Sequence, residues 1–406
     1  RRTAVAVAPA RPPVVTGSVS DDSRFEYVVV GLGALGSATA YQLARRGHRV
    51  IGLEQFELGH ARGASHDTSR ILRHSYHTPG YVALTFAAYD DWADLEADSA
   101  ATLVTRVGGL DLFPPDAAIP VDDYTTSMDT CGVAYQSLDV AEVAARWPQF
   151  ALPAETVALY QDSASIVPAG RGTAVMQAEA RRHGAELRDK TLATAIEPFD
   201  AGVRVRTPSA TYVARRVVVC ADAWTNRLLE GVGVSLPLVV TLEQVTYFRP
   251  SDPTTYQPGR MPLWIWMDDP SYYGFPCYGE ATLKAARDCS GIEVTADDRP
   301  FDPDPVRLQE LSDFMATSIP GSGPAVWSKT CLYTLTPDRD FVLAPVPGCE
   351  AVLVGLGAGH AFKFAPTFGR LLAELATTGE CSEDVSAFAL DRDALTTPGQ
   401  PVHWLV

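Results

Sequence analysis

Residues 27–54, reading YVVVGLGALGSATAYQLARRGHRVIGLE, constrain the chain more than any other stretch. Tyr27–Val30 is an apolar, β-branched run of strand length, and it stops at Gly31, Gly33 and Gly36, spaced G-x-G-x-x-G. An Ala/Leu-rich helix follows and ends at Gly47, and residues 49–53 form a second strand that closes on Glu54. Gly31 permits the tight turn, Gly33 lets backbone approach a pyrophosphate, and Gly36 lets helix and strand pack closely. The helix N-terminus offers unpaired N–H groups to phosphate, and Glu54, placed after the second strand, can accept hydrogen bonds from an adenosine ribose. A lone G-x-G-x-x-G is weak, but strand, turn, helix, second strand and terminal acid agree here, and they point to a bound dinucleotide.

At 406 residues the chain can bury a sizeable core in two domains. A net charge of −16 argues against nucleic acid and anionic membrane as partners, because both reward clustered Lys and Arg. No apolar run reaches the length of a membrane span. The seven cysteines are scattered without a C-x-x-C pair, which suits reduced thiols in a cytoplasm, the expected location. No His/Cys/Asp cluster has metal-ligand spacing, so no metal is expected, and no G-x-S-x-G element supports nucleophilic hydrolysis. Residues 1–24, rich in Ala, Val, Pro and Ser without period, read as a flexible tail.

After Glu54 the loop GHARGASHDTSRILRHSYHTPGYV is dense in Gly, His, Arg and Ser, and Arg70 and Arg73 form a basic pair in an acidic chain. A helix is expected from Pro79 to about residue 98 on the stripe Leu84, Ala88, Trp92 and Leu95. Residues 103–113 read as a strand, 138–147 and 169–183 as helices, and 185–220 as β structure ending in an apolar VVVC, after which the chain returns to the dinucleotide domain. Residues 239–287 are strand-like and aromatic, the composition of a core or of a pocket wall for a small ligand. Spacing alone makes Lys284, just past that wall, a surface lysine. A helix is expected over 304–318. Residues 351–354 then form a strand, Gly355, Gly357 and Gly359 a close-approach loop, and 364–376 a helix, with His360 and Lys363 at the loop edge.

These segments together resemble the monomeric sarcosine oxidase and N-methyltryptophan oxidase group of FAD-dependent amine oxidases, within the D-amino-acid-oxidase superfamily. The resemblance covers nearly all of residues 25–395 and rests on the opening VVVGLGALGSATAYQLARRGHRVIGLE, then SHDTSRILRHSY, SYYGFPCYG with its downstream lysine, KTCLYTLTPD and GAGHAFKF, in that order. It implies an α/β, two-domain fold with a Rossmann-like FAD domain (25–102, 155–235 and 330–395) and a mixed-sheet substrate domain (103–154 and 236–329). Cys331 matches the cysteine that binds FAD through a thioether, and Gly31, Gly33, Gly36, Glu54, Ser69, Arg70, Gly357, Gly359 and Lys363 match the cofactor's surroundings. Arg73 and Lys363 match the pair that clasps a substrate carboxylate, and His66 and Arg70 lie where the family lines one flavin face. Lys284 matches the lysine that promotes reaction with oxygen, and Tyr273, Tyr333 and His360 match pocket residues. Asp288 stands where sarcosine oxidase has a pocket histidine and Trp264 where it has Met. Asp222 takes a position usually held by Gly, and Ala344 replaces a common Asp. The implied activity is oxidation of a secondary amino acid, N-methylated or cyclic, to an imine with formation of hydrogen peroxide, by a monomer. A related dehydrogenase that passes electrons to a partner, or a flavin-binding protein without amine oxidation, are the alternatives.

Overall fold

The structure, a computed structural model, describes residues 23–397, 399 and 401, so all but the last two positions of the expected flexible tail lie outside the described residues. The opening unit forms as read: β1 (Tyr27–Val30), α1 (Ala34–Arg45) and β2 (Val50–Leu53). β1 and β2 are buried along their whole length, the pattern of strands covered on both faces. They pair in parallel at the centre of a six-stranded sheet ordered Val342–Val346, Cys349–Leu356, Arg216–Val219, β1, β2, Glu186–Arg188. All its pairings are parallel except that of the edge strand Val342–Val346. On one face α1 packs against the helices Ala169–Arg182 and Ala365–Thr377. Contact with the second is close: a Cβ on Gly369 would come within 2.4 Å of Ala38 Cβ.

The second large layer is an eight-stranded sheet ordered Ala325–Leu335, Val239–Phe248, Leu283–Arg287, Tyr272–Phe275, Leu263–Trp266, Gly109–Phe113, Val157–Gln161, Gln136–Leu138. One pairing, Leu263–Trp266 with Gly109–Phe113, is parallel and the rest are antiparallel, so the sheet is mixed as expected. The α/β, two-domain arrangement expected from sequence is the one observed. Val157–Gln161, inside the segment assigned to the FAD domain, pairs in this large sheet, so the chain leaves that sheet only after Gln161.

Three local readings change. The strand expected over 103–113 is two pieces, Thr105–Arg106 and Gly109–Phe113, divided at Gly108, whose φ of 73° does not continue a strand. A helix, Val121–Thr130, lies where none was expected, because its apolar stripe is thin, Val121, Tyr124 and Met128 among Asp, Thr and Ser. Lys284 is not a surface residue: it lies within the strand Leu283–Arg287 and is 3% exposed. Among the described residues no helix is long and apolar enough to cross a membrane.

Candidate active site

A cavity of about 370 Å³ runs between the two large sheets. One end lies at the C-terminal edge of the parallel strands, where Val30, Gly31, Leu53, Cys220 and Leu356 form its wall; the other end is walled by Ile265, Tyr273, Phe275 and Tyr333 of the mixed sheet. The edge outside the carboxyl ends of parallel strands is where open α/β sheets bind ligands.

The first end is built for a dinucleotide. Gly31 takes φ 88°, and a Cβ there would sit 2.4 Å from the Cys220 carbonyl oxygen; one on Gly36 would sit 1.8 Å from the Gly31 carbonyl oxygen. Only glycine lets the turn and α1 close on the strands in this way. Gly33, the N-cap of α1, lines the cavity together with Ala34, whose N–H donates to Ser65 Oγ at 2.9 Å, so the helix start faces the cavity. Glu54 stands at the rim with its carboxylate accepting from the Leu32 N–H (2.9 Å) and the Phe56 N–H (3.1 Å). Burial opposes its ionisation, but His60 and these N–H groups outweigh burial and hold its pKa below the usual carboxylate range. Gly357 and Gly359 line the cavity further along. A helix start at the cavity, a glycine turn too tight for any Cβ and an anchored acid fit an adenine dinucleotide; the cations at the far end fit the flavin half of FAD.

At that far end Arg70, Arg73, His66, Tyr273, Tyr333, Asp288, His360 and Lys363 all line the cavity. Arg73 is buried with Nη1 donating to Asp111 Oδ1 and to Ser75 Oγ, both at 2.8 Å. Lys363 Nζ donates to the Tyr76 hydroxyl (2.7 Å) and the His360 carbonyl (3.0 Å), two neutral acceptors. Burial, with Arg73 nearby, lowers Lys363 to about 7. His360 Nε2 lies 2.9 Å from the Arg339 carbonyl oxygen, which can only accept, so Nε2 carries the proton of the neutral ring. Burial first, then Arg339 and Lys363, hold the ring neutral. His66 is lowered to about 4 by burial and Arg70. Asp288 Oδ2 accepts from Arg339 Nη1 at 3.1 Å, with the arginine side chain 1% exposed and the aspartate 23%, and both residues line the cavity, the acid the more open of the two.

Five expected site residues do not form the wall. Trp264 is 2% exposed on the opposite side of its strand, packed toward Phe314 and over Gly274, and Ile265 takes the cavity side in its place. Adjacent strand residues face opposite ways, so a displacement of one position changes the side of the sheet. Lys284 and Ser69 lie behind the wall: Lys284 Nζ donates to the Ser69 carbonyl (2.9 Å) and Ser69 Oγ (3.3 Å) and lies 2.7 Å from Asp67 Oδ2. Cys331 directly precedes the wall residues Leu332, Tyr333 and Thr334, and burial raises its thiol to about 11 against the opposing charge of Arg70. Gly36 shapes the turn from within rather than lining the cavity.

Of the four departures from the expected pattern, Asp222 and Ala344 lie in different surroundings. Asp222 lines the cavity at φ 46°, a backbone suited to glycine, and burial raises its carboxyl to about 6. Ala344 lies in the apolar core beside Val342 and Val354, away from the cavity. Asp67, Asp111, Tyr76 and Arg339 were not singled out from sequence. Each is isolated among unlike neighbours in the text, and only the fold brings it to Lys284, Arg73, Lys363 or Asp288.

The family described as FAD dependent oxidoreductase (DAO) matches residues 26–375. A monomeric sarcosine oxidase of Streptomyces avermitilis is 34% identical over 373 residues, 90% of this chain and 96% of the relative. An N-methyl-L-tryptophan oxidase of Yersinia pestis is 29% identical, covering 91% of this chain and 99% of its own length. Among solved structures, NikD, an unusual amino acid oxidase essential for nikkomycin biosynthesis, superimposes with a TM-score of 0.81 at 28% identity, covering 90% of this chain and 97% of NikD. With the family model spanning residues 26–375 and the Streptomyces avermitilis relative 34% identical over 90% of the chain, the chain belongs to the FAD dependent oxidoreductase (DAO) family.

Proposed function

We propose that the protein oxidises a secondary amino acid, N-methylated or cyclic, to the imine with oxygen as electron acceptor, and that FAD is attached covalently through Cys331. The observation that carries this reading is the pairing of a cofactor cradle with a carboxylate-sized set of cations, Arg73 and Lys363, at its far end. Gly31, Gly33, Glu54, Gly357 and Gly359 would hold the cofactor, which when bound supplies two-electron acceptance from a C–H bond and delivery to oxygen.

Arg73 has Nη1 committed to Asp111 and Ser75, which fixes its plane, and Lys363 has one of its three N–H groups beyond the two bonded to Tyr76 and His360. A substrate carboxylate between them gains charge-assisted bonds in a buried site, and its α-carbon is oriented as a consequence. Tyr273, Tyr333 and Ile265 exclude water from the reacting end. Asp288, fixed by Arg339, presents an acceptor to the amine side, which favours a substrate with an added N–H or cationic group over sarcosine. Lys284 supplies positive charge where electrons reach oxygen.

Anaerobic mixing with N-methyl and cyclic amino acids tests the reading. Bleaching of the visible band, followed by one hydrogen peroxide per imine on admitting air, is expected. Bleaching without peroxide would move the electrons to another acceptor, and no bleaching with any such amine would remove the proposal. For the attachment, colour should remain with the acid-precipitated wild-type protein and leave Cys331→Ser; release from the wild type would remove the thioether.

A further inference from the structure

Asp67 stands at φ 89°, a left-handed backbone that residues with a Cβ rarely adopt. That backbone turns its carboxylate inward, where its side chain is 2% exposed. Oδ2 lies 2.7 Å from Lys284 Nζ, while Oδ1 accepts from the Tyr247 hydroxyl (2.6 Å) and from Lys329 Nζ (3.2 Å). Lys284 has three N–H donors and three acceptors in reach: Asp67 Oδ2, the Ser69 carbonyl and Ser69 Oγ. One short segment, 67–69, therefore fixes both where this ammonium sits and what it donates to.

The surroundings decide what the carboxylate does. Burial and the Arg70 guanidinium both act against a charge on Lys284, and together they lower it to about 8; Asp67 acts in the opposite sense. Phe275, whose ring lies 5.0 Å from Nζ, supplies no counter-charge, and the buried Cys331 thiol is the remaining titratable neighbour. Around Asp67 itself stand Lys284, Arg70, Tyr247, Lys329 and His66. Burial opposes its ionisation, but Lys284 and Arg70 outweigh it and hold the carboxyl well below the usual range, so it stays anionic throughout the working pH range.

We propose that Asp67 is a positioning residue that keeps the Lys284 ammonium charged and in place, and so sets the pH range in which the reduced holoenzyme reacts with oxygen. This rests on the oxidase reading above. Reducing dioxygen to hydrogen peroxide takes two electrons and one proton from the reduced cofactor and a second proton from solvent; Lys284 stabilises the negative charge that develops on oxygen and is not consumed. An uncharged Lys284 cannot do so, and without Asp67 the charge is lost at lower pH.

The test is stopped-flow reoxidation of dithionite-reduced holoenzyme by oxygen from about pH 6 to about pH 10. The wild-type rate constant should be flat on the acid side and fall as pH rises through about 8. Asp67→Asn should move that fall at least about one pH unit lower, which makes reoxidation roughly fivefold slower near pH 8 and roughly tenfold slower near pH 10, with anaerobic reduction by substrate within about threefold of wild type. Asp67→Gly, which also tolerates the left-handed backbone, should give the same shift and guards against a folding effect of the first variant. Midpoints of both variants coinciding with wild type, while Lys284→Met is slow, would overturn the role of Asp67 alone. An unchanged rate in Lys284→Met would overturn the role of the lysine as well.

Discussion

Lys363 donates to two neutral oxygens, yet it lies in a buried pocket beside Arg73. At about 7 it is half charged near neutrality, and a bound carboxylate favours its charged form. Binding a carboxylate above that pH therefore takes up a proton, and affinity falls as pH rises. The apparent Kd of an unreactive carboxylate such as methoxyacetate should rise by up to about tenfold per pH unit above about 7, and Lys363→Met should bind more weakly and without that dependence, with a loss of about 1.5–3 kcal/mol. Perturbation of the visible spectrum on titration measures both. Asp288 gives a second expectation at this scale. Because it lines the cavity bonded to Arg339, Asp288→His should replace a carboxylate by a ring beside that cation, raising kcat/KM for sarcosine relative to a cyclic or cationic secondary amine by about tenfold, or about 1.4 kcal/mol. An unchanged ratio would remove Asp288 from substrate selection. Arg73, Lys363 and Asp288 reach the cavity wall because motif spacing fixes them relative to a glycine loop or a strand. The sequence misplaced Trp264, where a shift of one residue reverses the face, and left Lys284 ambiguous, since burial of a lysine depends on an acid 217 residues earlier in the chain.

Between β1 and α1, packing rather than propensity decides the geometry. A methyl on Gly36 would overlap the Gly31 carbonyl oxygen and come within 3.2 Å of Cys220 Cβ. Gly36→Ala must push α1 away from those atoms, and α1 is also clamped by Ala365–Thr377 through the Gly369–Ala38 contact. The substitution should cost at least about 2 kcal/mol in urea unfolding and yield protein without the yellow colour of the cofactor. Full colour and an unchanged unfolding midpoint would show that the turn has slack the contact distances do not suggest. This unit was legible because its signal is redundant: strand, glycines, helix and acid each constrain the others. Val121–Thr130 was not, for a physical reason. Its apolar residues are few, and the helix is held by Tyr124 and Met128 packing into the core, contacts made by residues far away in sequence.

Across the whole molecule, the cofactor cavity is the place where the two large sheets meet. Its wall takes Gly31, Cys220 and Leu356 from one sheet and Ile265, Tyr273 and Tyr333 from the other, so a bound cofactor contacts both layers at once. A ligand that binds only the folded chain stabilises it by mass action, about 2.7 kcal/mol at a free concentration one hundred times Kd. For a chain of this size that corresponds to a rise in Tm of roughly 3 °C. The form of the dependence separates the two modes of attachment. In Cys331→Ser, where FAD can dissociate, Tm should climb with the logarithm of added FAD and unfolding should become more cooperative as the layers are joined. In the wild type with a thioether at Cys331, the cofactor stays on the unfolded chain and added FAD should leave Tm unchanged. Differential scanning calorimetry across about three decades of FAD concentration reads both. A wild-type Tm that climbs with FAD as steeply as the variant's would mean that the junction between the sheets is filled reversibly.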